Sequence, residues 1–265
     1  MSERRLLVHP DKPTMAASVA DRFITKLGKL LLDNETVDVV LTGGTMGTAV
    51  LAAANASPDR DSVDWSRIRF WWGDERWLPK GDPERNETQA REALLDHLDL
   101  DESAIHAFAA SDDGIDLDAA AAAYADELRA NAAPGSQLPL FQITFLGVGP
   151  DGHIASLFPE RGGIRETEKT VIAVRNSPKP PPERLSLTLP VINSSARIWV
   201  VVAGADKASA LGLILAGASI NEVPAAGAEG RRKTLFFVDE DAAQQVPEDL
   251  IVTGQFWTSA DDTQQ

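Results

Sequence analysis

Four short runs of this sequence are nearly apolar from end to end rather than at alternate positions: Val37–Leu41, Ile68–Trp72, Gln142–Leu146 and Ile198–Val202. Runs of this length and character are strands buried on both faces, which only a sheet covered on two sides can accommodate. Helical patterns separate them. Met15–Leu32 puts Val19, Phe23, Leu27 and Leu30 on one stripe, and Asn86–Leu98, Leu117–Ala130 and Lys207–Leu215 follow the same kind of spacing. The alternation specifies an α/β protein: a mostly parallel, Rossmann-like sheet flanked by helices on both faces.

A chain of 265 residues suffices for one large α/β core or two small ones. Ser177–Pro182 (SPKPPP) has the composition of a linker, but strand-like sequence resumes at once with Arg184–Leu189. A rigid loop inside one domain spanning residues 1–265 is therefore expected, with a frayed tail over Thr258–Gln265. The Ala119–Ala123 run is a helix former, and no internal repeat is present.

The formal net charge is −15. A globally acidic surface argues against nucleic acid or an anionic membrane as partner. It also repels an anionic small molecule, so a phosphorylated substrate requires the few cations to gather where it binds. Absence of cysteine excludes disulfides, thiolate nucleophiles and Cys-based zinc sites. Met1–Arg5 is polar with no apolar signal segment behind it, and no apolar run approaches membrane-spanning length. A cytoplasmic protein, working as a monomer, is expected.

Each strand runs directly into an unusual polar segment. Val39–Leu41 leads into Thr42-Gly43-Gly44-Thr45; Phe70–Trp72 into Gly73-Asp74-Glu75-Arg76; Thr144–Leu146 into the glycine-rich stretch ending at Gly152-His153; Val200–Val202 into Ala203-Gly204-Ala205-Asp206-Lys207. In a parallel sheet all four emerge at the carboxyl edge, where open α/β sheets bind ligands. Thr42–Thr45 opens the helix Met46–Ala54, so bare backbone N–H groups and a helix amino end favour an anion there. A tight strand-to-helix turn would account for the same residues, and the Walker pattern is absent. Arg76 has the geometry to grip phosphate in two places, against the ordinary alternative of a surface ion pair. Lys207 and Arg184 are ambiguous in the same way.

Gly147–Gly152 spells G-x-G-x-x-G behind a strand, superficially a dinucleotide fingerprint. That motif needs a sustained helix after its third glycine, and Pro159 with Gly162-Gly163 forbids one. His153 is the sharpest candidate for chemistry. Imidazole titrates near neutrality, with a reference pKa of about 6.5, and accepts a proton from water. Asp151 lies two residues away to orient it, whereas His9, His97 and His106 have no catalytic company. The chain lacks the usual metal-ligand spacings.

Thr42-Gly43-Gly44-Thr45, Trp72-Gly73-Asp74-Glu75-Arg76-Trp77-Leu78-Pro79, the run from Leu146 through Gly-Val-Gly-Pro-Asp151-Gly-His153 to Pro159, and Arg184-Leu-Ser-Leu-Thr-Leu-Pro190 together resemble the 6-phosphogluconolactonases. The resemblance extends from about Met15 to Val252. It implies the fold shared with glucosamine-6-phosphate deaminase and ribose-5-phosphate isomerase. It implies hydrolysis of 6-phospho-D-glucono-1,5-lactone to 6-phosphogluconate in the oxidative pentose phosphate pathway, with no metal or organic cofactor. The deaminases continue their shared histidine motif with Asn-Glu-Pro, whereas this chain has Ser156-Leu157-Phe158-Pro159. Two departures stand out: Thr42 where the lactonases usually have Ser, and Arg85-Asn86 where they have Ser-Asn.

Carried over by position, the resemblance implies His153 as general base and Asp151 as its orienting partner. It implies that Thr42, Gly43, Gly44, Thr45, Asp74, Arg76, Asn86, Arg184 and Lys207 form the substrate and phosphate site. Direct attack by water is the simplest scheme, because no Gly-x-Ser-x-Gly elbow is present. The rival readings are an amino-sugar-phosphate deaminase or isomerase, a non-catalytic sugar-phosphate sensor and, on the glycine fingerprint alone, an oxidoreductase.

Overall fold

The computed structural model describes residues 3–246; the tail expected to fray, Thr258–Gln265, lies outside them. In chain order the elements are β1 (Glu3–His9), α1 (Lys12–Asp33), β2 (Val37–Leu41), α2 (Gly44–Ala56), β3 (Ile68–Trp72), β4 (Asp74–Arg76), α3 (Asn86–Ala93), β5 (Ile105–His106) and α4 (Leu117–Ala130). There follow β6 (Phe141–Gly147), β7 (Val171–Val174), β8 (Arg184–Leu187), α5 (Leu189–Asn193), β9 (Arg197–Val202), α6 (Ala208–Leu215), β10 (Lys233–Asp239) and α7 (Glu240–Ala243).

Seven strands form one parallel sheet in the order β1-β10-β9-β6-β2-β3-β5. The apolar runs account for its centre: β2 and β9 are buried at every residue. Side chains of a strand alternate between faces, and β3 shows what covers each. Phe70 stacks on Trp65, which meets Phe23 of α1, while Trp71 on the other face packs edge-on against Tyr124 of α4. Helices therefore lie on both sides. Phe23 also meets Phe145 and Trp199 edge-on, joining α1 to β6 and β9. The buried charge within β2, Asp38, is satisfied by Arg69 at 2.6 Å and by the Trp71 indole N–H at 2.8 Å.

Four details differ from the sequence reading. Asp74–Arg76, expected as a loop, forms β4 and pairs antiparallel with β8 in a separate three-stranded sheet, β4-β8-β7. That sheet was not anticipated, because its strands are too short to show a period. The helix expected over Asn86–Leu98 ends at Ala93; the break at Leu94 and a following 3-10 turn allow Leu94 and Leu95 both to be buried. The strand-like run from Arg184 stops at Leu187 because Thr188 caps α5, with Pro190 in its first turn. On α1 it is Leu31 that is buried at the end of the stripe, with Leu30 partly buried against the core.

Ser177–Pro182 is the connection between β7 and β8, closed by the Ser177 N–H donating to the Pro182 carbonyl at 2.9 Å. Among the described residues no helix is long and apolar enough to cross a membrane. Phe23 has no exposed surface and touches three aromatic rings. Phe23→Ala is expected to destabilise the fold by about 3–5 kcal/mol, measured by urea unfolding; a loss below about 1 kcal/mol would contradict this packing.

Candidate active site

The chain steps outward from β2 to β3 on one side and from β6 to β9 on the other, so strand order reverses between β2 and β6. At such a reversal the two following loops diverge and leave a crevice at the carboxyl edge. The Thr42 loop and the Gly147 loop line it, tied across its floor by the Gly147 N–H donating to the Thr42 hydroxyl at 3.3 Å. The resulting cavity has a volume of about 420 Å³.

Gly43 is the N-cap of α2 and offers no side chain to the helix's first N–H groups, which leaves them for a ligand. Glycine is required there. A Cβ on Gly43 would lie 1.8 Å from Asn86 Oδ1. Asn86 in turn donates through Nδ2 to the Asp74 carbonyl at 2.8 Å, and its buried Oδ1 has no protein partner. Asp74 accepts from the Ser156 hydroxyl at 2.7 Å.

His153 sits on a tight loop closed by the Gly152 N–H donating to the Gly149 carbonyl and the Gly149 N–H donating to the His153 carbonyl, both at 2.9 Å. No helix follows Gly152 through Arg161, so the dinucleotide fingerprint lacks the element it needs. The His153 Nδ1 lies 2.5 Å from Asp151 Oδ1, and its ring packs on Phe158 at 4.6 Å between centroids. Burial pushes the Asp151 carboxyl up, but the hydrogen bond and charge of His153, and after them the charge of Lys179, outweigh it and hold the group well below the usual carboxylate range. An ionised Asp151 carries no proton, so Nδ1 must bear the hydrogen. Whenever the ring is neutral, its lone pair therefore lies on Nε2.

Glu75, buried beside this wall, organises it. Its Oε1 accepts the N–H groups of Arg76 and Asn86 at 2.7 Å, and its Oε2 accepts that of Glu87 at 2.9 Å. It thereby supplies the cap that Arg85 does not give α3. Arg85 has no exposed surface; it pairs with Glu87 at 3.1 Å and donates to the Phe108 carbonyl at 2.8 Å. The substitution of Ser by Arg is thus turned into the core, away from the cavity. Burial pushes the Glu75 carboxyl up to about 7, against the pull of Arg85 and the three amides.

Arg76, Arg184 and Lys207 all line the cavity, as do Thr42, Gly43, Gly44, Thr45, Asp74, Asn86 and His153. Asp151 stands behind His153. The Arg76 guanidinium is steadied by the Glu84 carbonyl. Arg184 is committed more heavily than its sequence position indicated: it donates to the carbonyls of Pro180 at 2.8 Å, Pro181 at 3.2 Å and Lys179 at 3.3 Å. Lys207 pairs with Asp206 at 3.0 Å.

Two further cations of the wall escaped the sequence reading, Lys12 and Lys179. Lys12 follows β1, whose charged residues hid it as a strand, yet the rule that loops after strands face this edge applies to it equally. Lys179 lies in the proline run, which composition marks only as a rigid connector. The acidic chain has thus gathered five basic side chains about one cavity, Lys12, Arg76, Lys179, Arg184 and Lys207, against Asp74 and Asp206. Among the described residues no group of three or more His, Asp or Glu side chains is arranged to hold a metal ion.

A family model described as glucosamine-6-phosphate isomerases/6-phosphogluconolactonase matches residues 10–237. The 6-phosphogluconolactonase of Streptomyces coelicolor is 53% identical over 250 residues, covering 93% of this chain and 96% of that protein. The crystal structure of 6-phosphogluconolactonase from Thermotoga maritima superposes with a TM-score of 0.78 at 26% identity, covering 90% of this chain and 100% of that one. That from Trypanosoma brucei gives 0.79 at 25% identity, over 93% and 100%.

Two outcomes test this geometry. A Cβ on Gly149 would fall 2.0 Å from His153 Nδ1 and 2.5 Å from Asp151 Oδ1. Gly149→Ala is therefore expected to separate imidazole from carboxylate in a crystal structure, and an intact pair would contradict the account. Glu75 has a folded pKa raised above its unfolded value, so its favourable contribution is full below about pH 4.5 and is lost as pH rises through about 7. Between pH 5 and 8 the wild type should lose about 1–3 kcal/mol of stability relative to Glu75→Gln, measured by urea unfolding; a constant difference would refute it.

Proposed function

This chain belongs to the family of glucosamine-6-phosphate isomerases and 6-phosphogluconolactonases, and we infer that it hydrolyses 6-phospho-D-glucono-1,5-lactone to 6-phosphogluconate with His153 as general base. The activity follows from high identity to curated lactonases over nearly their whole length. The observation supporting the residue roles is the His153–Asp151 pair, at 2.5 Å, on the wall of a cavity ringed by cations.

The phosphate gives the substrate its handle. The amino end of α2, with Gly43, Gly44 and Thr45, provides N–H and hydroxyl donors for its oxygens, and Lys12, Arg76, Arg184 and Lys207 offset its charge. Asn86 and Asp74 face the sugar hydroxyls. Anchored in this way, the lactone carbonyl is held near His153, which converts an encounter with water into a positioned attack.

Water then adds to the carbonyl carbon while His153 Nε2 takes its proton. Asp151 keeps the ring in the required tautomer and favours the imidazolium formed. Negative charge develops on the carbonyl oxygen, and Arg76 and Arg184 lie among the cations available to stabilise it. Collapse of the tetrahedral intermediate breaks the ring C–O bond. The departing ring oxygen takes the proton back from imidazolium, and the product acid ionises to carboxylate. No covalent enzyme intermediate is formed.

His153→Ala is expected to lower kcat/KM by roughly 10²–10⁴-fold above the subtracted spontaneous opening, while affinity for 6-phosphogluconate is kept. A variant with full turnover would remove His153 from its role. Release of ammonia from glucosamine 6-phosphate by the wild type, without lactone opening, would move the chain to the isomerase branch.

A further inference from the structure

A histidine that leans on a carboxylate meets conflicting demands. In the transition state the carboxylate helps, because it stabilises the imidazolium being formed. Between turnovers the same charge attracts a proton to the ring, and a protonated ring is no base. The contact between His153 and Asp151 is short, and Asp151 is held ionised, so the conflict is acute here.

Lys179 meets it. Its Nζ lies 3.2 Å from Asp151 Oδ1, the same oxygen that accepts the His153 N–H, and 3.4 Å from His153 Nδ1. The ammonium is not a stray surface charge. The Lys179 N–H donates to the Ser177 hydroxyl at 3.2 Å, and its carbonyl and the next two accept from Arg184. A buried guanidinium thus fixes the backbone that presents Lys179.

We propose that Lys179 is a positioning residue for the base: its ammonium offsets the Asp151 carboxylate, so that His153 stands unprotonated and oriented when substrate arrives. The proposal rests on the lactonase reading and adds to it a residue that need not touch substrate. Other charges also face the ring. Arg184 lies beyond Phe158, 5.7 Å from that ring's centre, and Arg76, Lys12 and Lys207 with Asp74 and Asp206 line the rest of the cavity. A bound phosphate offsets those cations, whereas Lys179 stays paired with Asp151.

The test is kcat/KM against pH for wild type, Lys179→Met and Lys179→Arg, with spontaneous opening subtracted. Loss of the ammonium leaves Asp151 uncompensated and favours imidazolium. The acidic limb of Lys179→Met should therefore move to higher pH by about one unit. Its activity should fall about tenfold at pH 6 and stay within about twofold of wild type at pH 8.5, the loss falling on kcat. Lys179→Arg should keep the wild-type limb. An unmoved limb in Lys179→Met, including a uniform loss at every pH, would overturn the proposal. NMR titration of the His153 ring in substrate-free protein gives a second readout, expected to show a higher midpoint in Lys179→Met; an equal midpoint would also overturn it. A wild type that fails to open the lactone would instead refute the lactonase reading, leaving the NMR titration to decide the role of Lys179.

Discussion

The reversal of strand order between β2 and β6 is the constraint on which the rest of this structure depends. A strand that turns into a helix on one face, beside a neighbour whose chain departs the other way, opens a crevice without any dedicated cavity-forming residues. What the sequence adds is the means to keep it open. Glycine at position 43 lets α2 start bare against Asn86, and the bond from Gly147 to Thr42 holds the two loops at a fixed separation.

Electrostatics act on two scales. Over the whole chain the net charge of −15 opposes an anionic ligand, and at short range the collected lysines and arginines reverse that field where it matters. The inner charges have structural work. Glu75 and Arg85 are both fully buried, the first capping α3 and the second tying it to the carbonyls of the segment before α4. A helix that carries Asn86 into the site is thereby fixed by groups that never reach the cavity.

Much of this was legible in the sequence, for identifiable reasons. The double-sided burial of β2, β3, β6 and β9 is written in their composition, and parallel pairing then dictates which loops converge. Fold class and the grouping of Thr42, Arg76, His153 and Lys207 follow from that alone, whereas the family rests on the resemblance of the loop motifs themselves. Contacts made across the sheet edge were not legible. The pairing of β4 with β8 involves three residues and no periodicity. The turning inward of Arg85 depends on Glu75 and Phe108, distant in the chain. Lys179 owes its place to Arg184, a relation visible only once the proline loop is folded back.

The contact between Gly43 and Asn86 has a consequence for how such chains diverge. The two positions lie at the amino ends of different helices, yet one occupies the space the other would need. A side chain at 43 requires a smaller residue at 86, and that residue gives up the bond to Asp74. Neither position is free to drift alone. Inherited change at this corner must pass through paired substitutions, so a departure at one should be interpreted only together with the residue present at the other.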